Sequence, residues 1–439
     1  MSTLDAELSR LSQDTSCLAT GSDHVTVGEL RVRAASIRKQ MPMVCGLSIA
    51  LCGLSPASLI ETLVAFDGFA SQIFLLPARI DHDTQQKLIE SAQSAYALKE
   101  SEGLAPTKVE ASCSDLHDSP TRWILATSGT TGVPKLISHT LTSLTRTMKR
   151  DTRRGSTYTW GLMYDPCRFA GLQVVLQALI GGSCLALPLS VSFEEQVDTL
   201  LEQKVNALSA TPSLWRKLLM DGRVLGLPIK QITLGGETVD QPLLDGLHKR
   251  FPEARIVHIY ASTEAGAAFA VQDGRAGFPS AWLGGISAPV PLRVGCDGQL
   301  LIKPAEMPAG DEILSRLDVD GFLDTQDLVR LDGDRVHFLG RVSGAINVGG
   351  NKVHPEEVEN VIREISNVFD VRVFAKSNSI MGQLVAAEVV ADAGVDTKLL
   401  RQQIQQHCRS KLEPWQCPAL VMLVNDLQET AAGKRKRMS

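Results

Sequence analysis

Thr127-Ser128-Gly129-Thr130-Thr131-Gly132-Val133-Pro134-Lys135 follows directly on the apolar run Trp123-Ile124-Leu125-Ala126. Hydroxyl side chains, approachable glycine N–H groups and a lysine behind a strand make a cradle for a polyanion. The order is not that of the Walker loop, which needs Gly, four residues, then Gly-Lys and Ser or Thr. Three later stretches carry further chemistry. Ile232-Thr233-Leu234-Gly235-Gly236-Glu237 reads as a strand opening into a glycine turn, which a flat ring can approach closely. His258-Ile259-Tyr260-Ala261-Ser262-Thr263-Glu264-Ala265-Gly266 delivers a hydroxyl and a carboxylate to the end of an apolar strand. Magnesium prefers such a site, with a few protein oxygens plus water and phosphate, although Thr-Glu alone also makes a helix cap. Asp327 to Leu339 reads as a hairpin turning at Asp332-Gly333, with Asp327 at its start and Gly340-Arg341 at its far end.

The stretch Ser128 to Lys135 resembles the phosphate loop of the acyl-adenylate-forming superfamily, which spans acyl-CoA synthetases, non-ribosomal peptide adenylation domains and luciferases. The resemblance runs from Thr127 to Arg437 in the superfamily's order. It implies that Thr127, Ser128, Gly129, Thr130, Thr131, Gly132 and Lys135 bind the ATP phosphates. Gly235, Gly236 and Glu237 match the adenine segment, and Tyr260, Ala261 and Ser262 match the Tyr-Gly-x-Thr-Glu motif with Ala261 in the glycine position. Thr263 and Glu264 are then catalytic, Glu264 as the magnesium ligand, and Asp327 and Arg341 reach the ribose. Val342 to Glu359 matches the junction motif, with Ser343 at the hinge where many members carry aspartate, and Gly349 and Gly350 facing a thiol tunnel. Gly433-Lys434 and Arg437 match the terminal Gly-Lys-x-x-Arg, which makes Lys434 the catalytic cation; a basic terminal run read alone is a solvated tail. In Tyr164-Asp165-Pro166-Cys167-Arg168-Phe169-Ala170-Gly171, Arg168 falls where many family ligases place the histidine of His-x-x-Gly. Arg168, Phe169 and Gly171 become acid-binding candidates, a salt bridge from Arg168 to Asp165 being the bland alternative.

The implied reaction has two steps: a carboxylate attacks the α-phosphate of ATP and releases pyrophosphate, and a pantetheine thiol then takes the acyl group. ATP and magnesium are the implied cofactors. CoA is the first choice of acceptor, because the chain holds no carrier or condensation domain. Two alternatives stay open, an adenylation enzyme that loads a carrier protein and a non-catalytic acyl- or nucleotide-binding relative.

These loops need elements to hold them. Alternating segments such as Ser48–Cys52, Pro56–Phe66 and Ile73–Pro77, and later Thr140–Lys149, Phe169–Ile180, Phe193–Gln203 and Pro212–Met220, point to a doubly wound α/β body with parallel sheets. Short extended segments around Gly298–Lys303 suggest a β-rich subdomain. A small, mobile α+β lid follows. The expected division is a nucleotide- and acid-binding domain over 1–340 and a lid over 341–439.

A net charge of −5 over 439 residues excludes a basic nucleic-acid face, and no apolar run approaches the roughly 20 residues of a membrane span. Nine scattered cysteines without a Cys-x-x-Cys pair suggest reduced thiols. With no signal-peptide pattern at the start, the expected compartment is the cytoplasm.

Overall fold

The computed structural model describes residues 2–77, 80–100, 105–109, 120–127, 135–190, 192–285, 288–304, 314–378, 381–392 and 394–427. Its first sheet has six strands in the order Pro106–Lys108, Tyr96–Lys99, Ser48–Cys52, Gln72–Leu76, Arg122–Thr127, Lys135–His139. The inner four are parallel and each outer strand is antiparallel to its neighbour. Ser48–Cys52 and Gln72–Leu76 are buried at every position, as parallel strands covered on both faces must be. The strand that leads into the phosphate loop is anchored from below. Asp67 accepts from the Trp123 indole at 2.9 Å and from the Leu4 amide at 2.7 Å.

A second sheet of eight strands runs Gly266–Val271, Arg255–Ser262, Gln231–Gly235, Ala207–Ala210, Thr159–Gly161, Cys184–Ala186, Ser16–Thr20, Asp23–Thr26. It is parallel except at its two edges. Helices Phe169–Gly181 and Pro212–Asp221 lie where the hydrophobic pattern puts them, and Pro212 sits in the first turn, where a missing N–H costs nothing. The helix expected over Thr140–Lys149 is shorter, Leu141–Thr145. A capping box from Thr140 and Ser143 starts it, but Thr142, Ser143, Thr145 and Thr147 are weak helix formers and it does not propagate.

A five-stranded antiparallel sheet contains the hairpin of Leu323–Asp332 and Arg335–Arg341. Its two-residue loop is Gly333-Asp334, one position later than the expected Asp-Gly, with Gly333 at φ +56°. Arg335 locks this sheet to the body. Its side chain is buried, pairs with Asp273 at 2.6 Å and donates to the carbonyls of Arg275, Ala276 and Gly277.

The last sheet comprises Ile346–Val348, Asn351–Val353, Val368–Asn378, Gly382–Ala391 and Leu420–Leu423. Helices Pro355–Arg363 and Thr397–Lys411 cover it, and their apolar positions close a core drawn from residues between Ile346 and Val421. This is the small α+β unit, and it meets the large one through buried charge. Arg216 and Asp240 on one side face Arg363, Glu359 and Asp370 on the other, and every one of these residues is buried. Burial alone would raise the Asp240 carboxyl, but the guanidiniums of Arg216 and Arg363 outweigh it and hold it below the ordinary carboxylate value.

Candidate active site

Three of the sequence motifs end at the carboxyl ends of parallel strands, where open α/β sheets gather their ligands. Thr127 closes Arg122–Thr127 and pairs in register with Lys135, the first residue of the returning strand. The loop is therefore the connection of a strand pair. Thr127 Oγ1 donates to the Lys135 carbonyl at 3.4 Å. Ser128, Gly129, Thr130, Thr131 and Gly132 lie outside the described residues, as does Lys434.

Gly235 ends the next strand, and Gly236 takes φ +81°, which a side chain would strain. Glu237 accepts from the amide and hydroxyl of Ser213 at 3.0 and 2.7 Å, so it also ties this turn to the start of helix Pro212–Asp221.

The third strand, Arg255–Ser262, does not run into a helix. It turns back as Gly266–Val271, with Thr263, Glu264 and Ala265 as the loop and Gly266 at φ +69°. Ser262 Oγ accepts from the Ala265 amide at 3.0 Å and fixes the turn that carries Glu264. His139 supports it from the first sheet. Its Nε2 donates to the Thr263 carbonyl at 2.8 Å, its Nδ1 lies 3.4 Å from the Ser143 hydroxyl, and its ring meets Phe169 at 5.7 Å. Burial pushes this imidazole below its ordinary value and so favours the neutral form that the single N–H requires. The sequence alone does not single out His139. Its signal was a polar residue closing a strand directly behind the phosphate loop.

Phe169 and Arg168 begin helix Phe169–Gly181. The Arg168 backbone caps that helix, and its Nε is buried without a hydrogen-bond partner among the described residues. No salt bridge to Asp165 forms; Asp165 instead accepts from the Cys167 amide at 2.9 Å. Gly171 is needed for packing, because a Cβ there would lie 2.2 Å from the Asp165 carbonyl oxygen.

Asp327 and Arg341 are register partners across the hairpin, and Arg341 Nε donates to Asp327 Oδ1 at 3.0 Å. Tyr260 donates its hydroxyl to Asp327 Oδ2. Ala261 faces Ala267 on the neighbouring strand. Further along, Ser343 lies in a single exposed turn, Val342–Gly344. Gly349-Gly350 is a two-residue hairpin loop between Val348 and Asn351, with φ of +57° and +93°. Such a turn calls for glycine whatever else passes over it.

These strand ends bring forward the Asp327 carboxylate, bonded by Tyr260 and Arg341, and the turn that carries Glu264. The AMP-binding enzyme family model matches residues 67–294, which include the first three motifs, and the AMP-binding enzyme C-terminal domain model matches 357–434. The chain belongs to the AMP-binding enzymes. It is an AMP-forming ligase of the acyl-CoA synthetase type. A 2-succinylbenzoate–CoA ligase of Listeria innocua is 25% identical over 340 residues, covering 74% of this chain and 70% of the relative. A mitochondrial acyl-coenzyme A synthetase of Rattus norvegicus is 28% identical over 347 residues, covering 72% and 60%. The fold of this AMP-binding enzyme is shared with solved structures. An anthranilate CoA ligase in complex with anthranoyl-AMP superposes with a TM-score of 0.78 at 16% identity, covering 99% of this chain and 95% of the other. The o-succinylbenzoate CoA synthetase of Bacillus subtilis with its acyl-adenylate gives 0.74 at 18%, covering 99% and 97%. Among the described residues, no helix is long and apolar enough to cross a membrane.

Proposed function

We propose that this AMP-binding enzyme activates an aromatic or dicarboxylic acid and transfers it to CoA. The observation that carries the acid class is the continuous path from Arg168 through Phe169 and His139 to Thr263 and Glu264. One end offers a guanidinium and an aromatic ring to an acid, and the other offers a carboxylate beside the phosphates. The Arg168 Nε is buried without a hydrogen-bond partner among the described residues, which is costly unless an acceptor meets it. Relatives that take 2-succinylbenzoate and anthranilate fit the same chemistry.

In this reading Asp327 and Arg341 hold the ribose, Gly235 and Gly236 leave room for the adenine, and the stretch Thr127 to Lys135 holds the phosphates. Glu264 suits magnesium: it is a single carboxylate at a hairpin tip, and that ion takes one or two carboxylates with its remaining ligands from phosphate and water. When bound, magnesium would neutralise phosphate charge there. The carboxylate of the acid attacks the α-phosphorus, pyrophosphate leaves, and Lys434 bridges the two anions as they meet. The thiol then attacks the acyl carbon and AMP leaves. We place the domain boundary between residues 340 and 341 with the hinge at Ser343, supported by the separate core that starts at Ile346. Gly349-Gly350 is the proposed face for the pantetheine arm, and the cytoplasm is the proposed compartment. A carrier protein presents the same thiol, so purified enzyme offered CoA and a phosphopantetheinylated carrier should accumulate acyl-CoA. Preferential loading of the carrier would reassign the acceptor.

Arg168→Ala tests the acid class. The KM for the acid should rise about 10–100-fold, the value of hydrogen bonds to a charged group, while the KM for ATP changes little. An unchanged KM for the preferred acid would leave Arg168 as a helix-start residue only.

A further inference from the structure

Tyr260 is stacked against two other aromatic rings. Phe269 stacks with it at a centroid distance of 5.1 Å and an interplanar angle of 15°, and Phe338 does so at 5.0 Å and 8°. Phe278 and Trp282 pack behind Phe269 and extend the cluster. The Tyr260 hydroxyl donates to Asp327 Oδ2.

The backbone around Asp327 is bent to receive it. Gln326 adopts φ +62°, a left-handed conformation uncommon for a residue with a side chain, and its amide donates to Asp324 Oδ1 at 2.7 Å. The Asp327 amide donates to Thr325 Oγ1 at 3.2 Å, and Thr325 is itself fixed by the Leu300 carbonyl at 2.8 Å. The register of this hairpin shifts between Leu328 and Val329, opposite Gly340 at φ +129°. Such irregularities re-aim a side chain at the end of a strand, and they persist where the surroundings over-determine them. On the exposed side Arg341 also contacts Asp327, but its side chain is 55% accessible and long enough to move aside for a ligand. Tyr260 cannot move without unstacking two rings.

We propose that Tyr260 is a positioning residue that acts through Asp327: its hydroxyl fixes one carboxylate oxygen so that the carboxylate is already oriented for the two ribose hydroxyls of ATP. A carboxylate that rotates freely would pay ordering entropy at each binding event, and the hydrogen bond from Tyr260 removes that cost before ATP arrives. Burial and the neighbouring Asp327 push the Tyr260 phenol well above its ordinary value, so it stays a donor across the working pH range. The proposal rests on the reading of Asp327 as the ribose acceptor.

The test is the selectivity for ATP over 2′-deoxy-ATP and 3′-deoxy-ATP, measured by acid-dependent pyrophosphate exchange on the full-length enzyme. Asp327→Asn should lose the preference for ATP; if it keeps the wild-type ratio, the ribose reading itself fails and the proposal with it. With that reading secured, Tyr260→Phe, which keeps the ring and the stack, should lower the ratio about tenfold through a raised KM for ATP and little change in kcat. Phe269→Leu loosens the stack and leaves the hydroxyl in place, so it should preserve most of the ratio. A wild-type ratio in Tyr260→Phe, or an equal loss in Phe269→Leu, would overturn the assignment and leave Tyr260 as packing.

Discussion

Lys434→Ala should lower acid-dependent adenylate formation by about 100–1,000-fold, the typical cost of removing a preorganised charge from such a site. Thioester formation from a pre-made acyl adenylate should survive. The asymmetry follows from charge. In the first step a carboxylate approaches a triphosphate, and a cation must bridge two anions that otherwise repel. In the second a thiol meets an acyl carbon already activated by its phosphate leaving group, and no second anion has to be brought in. Lys135 and Arg341, the proposed phosphate and ribose contacts, remain in the variant, so ATP binding should persist while chemistry fails. Equal loss of both half-reactions would count against this role for Lys434.

Arg363→Met should destabilise the protein by about 3–5 kcal/mol, because it leaves a buried cluster with uncompensated negative charge. Among the described residues, Arg216 is then the cation left in the cluster beside Asp240, Glu359 and Asp370. Native stability is only about 5–15 kcal/mol, so the loss should appear directly as a lower denaturant midpoint. The geometry also separates contacts within a unit from contacts between units. Arg216–Asp240 and Arg363–Glu359 are direct pairs on the same side, whereas Arg216–Asp370 and Arg363–Asp240, which cross the boundary, are 3.7 and 3.6 Å apart. Parting the two units would therefore leave each arginine with a carboxylate of its own. Arg363→Lys, which keeps the charge but not the forked geometry, should recover part of the stability. A denaturant midpoint unchanged by Arg363→Met would contradict this account of the interface.

How much of this was legible in the sequence can be judged from particular residues. Helix Pro56–Phe66 and strand Ser48–Cys52 were readable because periodicity, a proline at the first turn and a buried apolar run all agree locally. Asp327 and Arg341 were readable as a pair because a short hairpin fixes their register. His139 was not singled out, since its meaning depends on Thr263, a residue brought near by a different sheet. The same holds for the Arg363 cluster, whose members sit on helices and strands of two units, and for the stacking of Tyr260 with Phe269 and Phe338. A motif shows which residue is present but not what covers its faces. The Thr263-Glu264 turn illustrates the point, because its sequence suits a helix cap and tertiary pairing with Gly266–Val271 makes it a hairpin tip.

The central claim is that these strand ends form an acyl adenylate from ATP and a carboxylic acid. Its most direct measurement is exchange of labelled pyrophosphate into ATP by the purified full-length enzyme, with magnesium present and across a panel of aromatic, dicarboxylic and fatty acids. The account predicts exchange that depends on the acid, is strongest with aromatic or dicarboxylic members, and falls by about 100-fold or more in Glu264→Gln. Folded enzyme that exchanges no label with any acid, or a Glu264→Gln variant as active as the wild type, would contradict it.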